Sequence, residues 1–387
     1  MSPQAQKLTD VSQESIDSDV ASDAHVARQH LVATELDTLA PTTVLQRSLT
    51  IGSIVATASS FAARSQSVKH LVDTQNYEDI GAGLQGIAYE RLGSIYVTKK
   101  ELPTNQGRRL TDEFAMHRKV SDAFTKYKEY SGDVLVPQPF DFVPKESLLP
   151  ELLSRMPGND RQPSDVATME IILPLPKIVR KAMIQKFYPD KNSACDEHLV
   201  TQVLDERANK HCLARLYLGK RSVAMSKENF TLRNHPLTLN VMGDLALNVE
   251  QFAAMIGNAY AIMHWAANIT GDDVEFVLGF STSTENDFQH REVHMYLLDF
   301  GQCDTVDMNE DQDDIFQAFK GSLDLQHNQL YLPHPKRSAA LYQAWKSAYL
   351  SAARKVIQHE GLPFDPEEFL EEYEEYLEDF DPQDSRE

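Results

Sequence analysis

Gly81-Ala-Gly83-Leu-Gln-Gly86 is a Gly-x-Gly-x-x-Gly motif at the start of a β-type region. Two β-type runs follow it, Gly86-Ile-Ala-Tyr-Glu90 and Ser94-Ile-Tyr-Val-Thr98, and the turn between them contains Gly93. This pattern predicts a β-hairpin. A dinucleotide-binding fold would instead have a helix directly after the glycines. The hairpin therefore favours a small antiparallel lobe whose glycine loop approaches a phosphate, with simple hairpin geometry as the alternative.

Lys99 stands on the second strand of this hairpin, where its side chain can neutralise a phosphate held by Gly81, Gly83 and Gly86. The next predicted helix, residues 110–128, carries Glu113. In protein kinases a strand lysine pairs with a glutamate on the following helix. We therefore expect either that Glu113 pairs with Lys99 or that Glu113 is a solvated helix charge.

Leu297-Leu-Asp299-Phe300-Gly301 is an apolar strand that ends in an Asp-Phe-Gly turn. In kinase-like enzymes the aspartate of this turn binds the magnesium ion that bridges the nucleotide phosphates. The alternative is a turn aspartate that caps the next segment. Strand-like runs at 274–279 and 293–298 place Glu275 and Asp299 at strand ends within reach of each other.

Asp272-Asp273-Val-Glu275 brings three carboxylates into four residues beside an apolar strand. Like charges this close need a metal ion, an ammonium or guanidinium group, or a raised pKa. The alternative is a solvated loop with one capping aspartate. Glu275 lies where kinase-like folds have a metal-binding asparagine. The His-Arg-Asp triplet of kinases is absent, and we interpret His264 as a core histidine.

These motifs predict an α+β protein with a degenerate protein-kinase-like, two-lobed fold: a small antiparallel β lobe and a larger helical lobe. The chain has 387 residues, 42% of them hydrophobic, enough for a sizeable core. We predict four parts. They are a largely disordered segment over 1–68 with a short helix near 43–64, an N-lobe over 69–174, a helical C-lobe over 175–360, and an acidic helix and tail over 361–387.

The charge distribution bears on possible partners. The net charge is −21, and residues 361–387 alone contribute −11, from twelve acids and Arg386. Lys177, Arg180 and Lys181, followed by Phe187 and Tyr188, can hold a phosphate backbone and stack a base, although a solvated helix face is an equal alternative. We expect no DNA partner.

Neither the cysteines nor the apolar segments indicate an extracellular or membrane protein. Cys195, Cys212 and Cys303 lack the close spacing of disulfide frameworks and zinc sites. The first 30 residues have no apolar signal region, and no run of 18 apolar residues occurs. We expect a cytoplasmic protein with no structural metal and no membrane contact.

Several longer strings resemble a family of fungal proteins, loosely labelled zinc-finger-like, that includes arginine-containing cyclodipeptide synthases. The resemblance covers roughly residues 70–350. The strings are Met169-Glu-Ile-Ile-Leu-Pro-Leu-Pro-Lys177, Cys212-Leu-Ala-Arg-Leu-Tyr-Leu-Gly219, Met263-His-Trp265, Asp273-Val-Glu-Phe-Val-Leu-Gly279 and Leu298-Asp-Phe-Gly-Gln-Cys303.

The resemblance implies that the chain joins the aminoacyl groups of arginyl-tRNA and a second aminoacyl-tRNA into a diketopiperazine. An acidic motif is required in that family. Here it matches the acidic run, with Glu275 as the base and Asp272 or Asp273 binding the guanidinium. No cofactor is implied, because the esters are already activated. Two alternatives remain: a phosphotransferase that uses ATP and magnesium through Lys99, Glu275 and Asp299, and a pseudokinase-like binding protein.

Overall fold

The computed structural model describes residues 30–56, 76–91, 94–102, 108–190, 193, 196–285 and 288–380. Within these ranges the chain is mixed α+β with two sheets, which confirms the predicted class. The likeness to protein kinases stays a prediction. No helix in the described ranges has the length and apolar character needed to cross a membrane.

The elements are numbered in chain order. The strands are β1 (His30–Val32), β2 (Ile54–Ala56), β3 (Glu78–Ala82), β4 (Gly86–Glu90), β5 (Tyr96–Glu101), β6 (Pro139–Val143), β7 (Val166–Glu170), β8 (Ala214–Tyr217), β9 (His235–Thr238), β10 (Glu275–Glu285) and β11 (Phe288–Leu298). The helices are α1 (Ala33–Leu36), α2 (Pro41–Ser48), α3 (Leu110–Lys126), α4 (Pro150–Ser154), α5 (Lys177–Phe187), α6 (Glu197–Asp205), α7 (Arg207–Lys210), α8 (Leu239–Asp244), α9 (Val249–Trp265), α10 (Gln312–Asp324), α11 (Ala339–Glu360) and α12 (Pro366–Phe380).

The first sheet is the small antiparallel lobe that the glycine motif predicts. Its strand order is β3-β4-β5-β7-β6. β4 and β5 form the predicted hairpin, in which Ala88 pairs with Lys99, while Gly93 in the turn lies outside the described residues. Helix α3 packs against β6 and β7. Its N-cap is Arg109, and Asp112 accepts a hydrogen bond from the Arg109 backbone (3.3 Å).

The second sheet has the order β1-β2-β11-β10-β8-β9. Its centre is the antiparallel pair β10 and β11, in which Glu275 pairs with Leu298. Asp299 follows Leu298 directly, so the predicted proximity of Glu275 and Asp299 is confirmed. The segment after β7 joins the two sheets, because the backbone N–H of Leu173 donates to Phe280 (3.0 Å) and that of Phe280 to Leu173 (2.9 Å).

The prediction of disorder over 1–68 is wrong for residues 30–56. β2 pairs with β1 and with β11, and Leu45, Leu49 and Val55 are fully buried. The predicted helix near 43–64 is α2, which begins and ends earlier, at Pro41 and Ser48. The polar composition of residues 30–56 does not indicate this structure, because the segment becomes ordered by pairing with a strand more than 200 residues away. Residues 1–29 and 57–68 lie outside the described part of the chain.

Helices α9 and α11 form the core of the larger lobe. They approach closely at Gly257, where a Cβ would lie 2.3 Å from the carbonyl oxygen of Trp345. The acidic helix α12 packs on α11, where Phe369 contacts Tyr349 and Tyr373 contacts Trp345. The last helix therefore packs with the larger lobe and does not form a separate acidic end.

Candidate functional site

A cavity of about 310 Å³ lies between the two sheets. Its volume is at the lower end of the range for small-molecule sites, roughly 300–1,000 Å³. The small lobe contributes the glycine loop, Val97, Lys99, Glu113, His117 and Met169. The connector and the larger lobe contribute Ile172, Pro174, His211, Leu213, Arg215, Arg233, Asn234, Glu275 and residues 298–300.

Lys99 and Glu113 form an ion pair in this cavity. Lys99 Nζ donates to both carboxylate oxygens of Glu113, at 2.6 and 2.7 Å. Only 13% of the Lys99 side chain and 9% of the Glu113 side chain are exposed. Burial raises the pKa of Glu113, and Lys99 offsets part of that rise. The pairing expected from the sequence is confirmed, and the alternative of a solvated helix charge is wrong.

The glycine loop is the turn between β3 and β4. Gly81, Gly83 and Gly86 all line the cavity. The backbone N–H of Gly83 donates to the carbonyl of Gly86 (2.9 Å), which closes the turn. Gln85 is buried against Gly301, where a Cβ would lie 2.5 Å from Gln85 Nε2. The loop is thus docked on the Asp-Phe-Gly turn of the other lobe.

Asp299 is a cavity carboxylate without a cationic partner. Among the described residues, none forms an ion pair or a hydrogen bond with its side chain. Its backbone is left-handed (φ 67°), a conformation that non-glycine residues rarely adopt. Its charge raises the pKa of Glu113 and of Glu275. The next residue, Phe300, packs on His117, with 5.1 Å between the ring centroids.

Glu275 lines the cavity and forms an ion pair with Arg215 of β8. The exposed fraction of the Glu275 side chain is 12% and that of Arg215 is 20%. Burial raises the pKa of Glu275, Arg215 counteracts this, and Asp299 adds to the rise. A carboxylate with a raised pKa is a better proton acceptor than an ordinary one.

Asp272 and Asp273 are not among the residues that line the cavity. Asp272 accepts a hydrogen bond from Thr270, and burial raises its pKa. Asp273 Oδ1 lies 2.6 Å from Nδ1 of His327, and its backbone is left-handed (φ 57°). The three carboxylates predicted as catalytic therefore separate, and only Glu275 faces the cavity. The roles predicted for Asp272 and Asp273 gain no support from their positions.

His264 is a core residue, as the sequence interpretation has it. Its ring is fully buried and stacks on Phe319 with 4.2 Å between centroids. Nδ1 lies 2.9 Å from the hydroxyl of Tyr349, and Nε2 lies 3.3 Å from the carbonyl of Thr270. Burial lowers the pKa of His264 to about 3. This neutral imidazole holds the loop that precedes Asp272.

The predicted basic stretch lies on α5 and outside the cavity. Lys177 is exposed. Arg180 donates to the carbonyls of Leu175 (3.0 Å) and Asn209 (2.9 Å), and Lys181 lies 3.1 Å from Asp37. Arg180 therefore holds the fold together and is not available to a nucleic acid. Contact of Lys177 and Lys181 with tRNA stays a prediction.

Six polar residues that line the cavity are not predicted by the sequence motifs: His117, Glu170, His211, Arg215, Arg233 and Asn234. Arg215 stands out in the sequence only as a base within an otherwise apolar strand. Arg233 and Asn234 occupy a polar loop before β9 and carry no motif. In the described ranges, no three His, Cys, Asp or Glu side chains are grouped so that they could hold a metal ion.

The comparisons with known proteins add no relative. The chain matches no protein-family model, and a search of the curated proteins finds no match either.

Proposed function

We propose that this protein is a cytoplasmic cyclodipeptide synthase that joins arginine from arginyl-tRNA to a second amino acid from another aminoacyl-tRNA. We place it on a degenerate protein-kinase-like fold. The glycine loop, the Lys99–Glu113 pair and the Asp-Phe-Gly turn around one cavity support that fold. The resemblance of several sequence strings to arginine-containing cyclodipeptide synthases supports the activity.

The observation that carries the proposal is the unpartnered carboxylate of Asp299. Asp299 lies beside two further carboxylates, Glu113 and Glu275, each of which has its own cation. An anion in this position is stabilised by a cationic ligand. Arginyl esters bring two cations, the guanidinium and the α-ammonium. A guanidinium binds a carboxylate through two parallel hydrogen bonds, which suits Asp299.

The proposed reaction forms two amide bonds and breaks two ester bonds. The α-amine of one aminoacyl group attacks the ester carbonyl of the other, and the tRNA 3′-oxygen leaves. The second amine then attacks the remaining ester and closes the ring. Glu275 takes the proton from each attacking amine and returns it to the leaving oxygen, as general acid–base catalysis requires. Both esters supply their own driving force, so neither ATP nor a redox cofactor takes part.

Positioning is the other contribution of the protein. Holding amine and carbonyl in a cavity turns a bimolecular step into an effectively unimolecular one. The apolar walls formed by Val97, Met169, Ile172 and Leu213 restrict water, which would otherwise hydrolyse the esters. The bodies of the tRNAs remain outside, since the cavity accommodates only their 3′ ends.

Expression in a heterologous host, followed by mass spectrometry of the extract, tests the activity. We expect arginine-containing diketopiperazines from the wild-type chain and at least a hundredfold less from Glu275→Gln and Asp299→Asn. The matched control is Glu250→Gln, at an exposed position on α9, which should leave the yield unchanged. The proposal fails if the folded wild-type chain, supplied with both charged tRNAs, forms no such product.

The Lys99–Glu113 pair favours a second candidate, a phosphotransferase that uses ATP and magnesium. Lys99 would contact the nucleotide phosphates, and Asp299 and Glu275 are oxygen donors of the kind that magnesium prefers. Against this, the kinase His-Arg-Asp triplet is missing, and the residue two positions after His264 is Ala266. Calorimetry with ATP and magnesium distinguishes the candidates, since tight binding without diketopiperazine formation supports the phosphotransferase.

A further inference from the structure

Arg233 presents a cation at the glycine-loop end of the cavity. Its guanidinium lies against Gly81, where a Cβ on residue 81 would be 2.9 Å from Nη2 of Arg233. In the described part of the chain, no carboxylate forms an ion pair with Arg233. Gly81 leaves the space that the guanidinium occupies, and any larger residue there would displace it. Asn234 follows in a left-handed conformation (φ 50°) and also lines the cavity.

The fully buried Asn209 holds the loop that carries Arg233 through hydrogen bonds. Oδ1 of Asn209 accepts hydrogen bonds from the Leu232 backbone (2.7 Å) and from the Thr231 hydroxyl (3.1 Å). The Arg233 backbone N–H donates to Thr231 Oγ1 (3.1 Å). A cation on a prearranged loop loses little freedom when a ligand binds. The position of Arg233 is thus built into the fold.

The surroundings of Arg233 are rich in cations. Burial, together with the charges of Arg180, Arg207 and Arg233, lowers the pKa of the neighbouring His211 to about 4. Two of these arginines have protein partners: Arg180 binds backbone carbonyls, and Arg207 lies 3.5 Å from Asp79 of β3. Glu90 is the other acid nearby, 3.5 Å from His211. Arg233 is therefore the cation that faces the cavity and remains available to an anion.

We propose that Arg233 and Asn234 form a phosphate subsite at the Gly81 end of the cavity. The assignment of the ligand rests on the proposed function: it is the last phosphodiester at the 3′ end of the aminoacyl-tRNA. The aminoacyl group extends toward Asp299 and Glu275. The guanidinium binds two phosphate oxygens at once, and the Asn234 amide donates to the ligand as well. The two ends of the cavity thus carry charges of opposite sign. A guanidinium binds the phosphate at one end, and carboxylates bind the arginyl group at the other.

Binding to the full chain, measured by calorimetry, tests the subsite with four probes. The first is an RNA microhelix with arginine attached through a non-hydrolysable 3′-amide, and the second is the same microhelix without arginine. The third is 3′-arginylamino-3′-deoxyadenosine, which lacks the phosphate, and the fourth is ATP. We expect Arg233→Met to weaken microhelix binding at least tenfold and binding of the phosphate-free nucleoside by less than twofold. Arg221→Met removes an exposed arginine outside the cavity and should change neither affinity more than twofold.

The outcomes separate the subsite from the proposed function. Equal loss of affinity for both arginyl probes, or no loss for either, overturns the subsite even if diketopiperazines form. If a microhelix without arginine binds as tightly as the arginyl microhelix and depends on Arg233, the subsite stands and arginyl transfer fails. If only ATP binding depends on Arg233, the tRNA assignment is overturned and the phosphate belongs to a nucleotide.

Discussion

Arg215 and Glu275 stand diagonally opposite on the neighbouring strands β8 and β10, where Arg215 pairs in register with Val277. Diagonal neighbours lie on the same face of an antiparallel pair and can reach each other through long side chains. The resulting ion pair faces the cavity and is mostly buried. The proposed base, Glu275, is therefore paired with a charge of opposite sign. Removal of either residue leaves the other as a buried charge without its partner.

Removal of Arg215 alone should destabilise the protein strongly. Arg215→Met leaves Glu275 as a buried, uncompensated charge next to Asp299, so we expect the free energy of unfolding at pH 7 to fall by about 3 kcal/mol. The loss should shrink at acid pH, where Glu275 takes up a proton. Urea unfolding at pH 5 and pH 7 measures both effects. The double variant Arg215→Met with Glu275→Gln should recover most of the stability, and a double variant as unstable as the single one contradicts this account.

Glu90 makes the stability of the folded protein depend on pH. It pairs in register with Glu78 on β3. Burial, with Glu78 as the second cause, raises the pKa of Glu90 from 4.5 to about 7, and the nearby Arg207 counteracts only part of this. Between pH 4.5 and about 7, the Glu90 carboxyl group is therefore protonated in the folded state and ionised in the unfolded state. Stability contributed by the protonated form is present below pH 4.5 and is lost as the pH rises to about 7.

Glu90→Gln should remove this dependence. At pH 5 the variant and the wild type should unfold at nearly the same urea concentration, and at pH 8 the variant should be more stable by roughly 2 kcal/mol. Glu78→Gln is the matched control, because it removes the like charge opposite and should give a smaller gain at pH 8. A difference between Glu90→Gln and wild type that is the same at both pH values would sink the assignment.

Local signals in the sequence predict half of the candidate site. The β-hairpin and the next helix suffice to bring Lys99 to Glu113, and the strand pair after Gly271 brings Glu275 to Asp299. Arg215 cannot be assigned to Glu275 in this way, because β8 joins β10 only in the folded sheet. The carboxylates of Asp272 and Asp273 are adjacent in sequence, but Asp273 has a left-handed backbone and its carboxylate contacts His327, so neither aspartate lines the cavity with Glu275.

The same limit applies to the fold. The strand-like runs at 274–279 and 293–298 predict part of β10 and of β11. Residues 30–56 have no such pattern and become ordered by pairing with β11 and by burial of Leu45 and Val55. Pairings distant in sequence carry no local signal, and an amphipathic period does not reveal them.

The ion pair between Asp273 and His327 predicts a shifted titration. The close contact with Asp273 is the main cause that raises the pKa of His327, burial counteracts part of the rise, and the more distant Glu275 adds to it. The stability from this pair is present while His327 is protonated and is lost as the pH rises through its pKa in the folded state. In Asp273→Asn, the His327 ring signals measured by NMR should titrate at lower pH than in the wild type. His327 signals that titrate identically in both proteins contradict the pairing.

The glycines of the loop differ in what they tolerate. A Cβ on Gly86 would lie 2.5 Å from the carbonyl oxygen of Lys100, a backbone atom that cannot move without opening β4 from β5. Gly86→Ala should therefore lower the free energy of unfolding by about 2 kcal/mol and shift Lys99 from Glu113. A Cβ on Gly83 meets nothing within 4 Å, so Gly83→Ala should stay within about 0.5 kcal/mol of the wild type. Chemical denaturation compares the two variants, and equal losses would show that the loop is not docked as described.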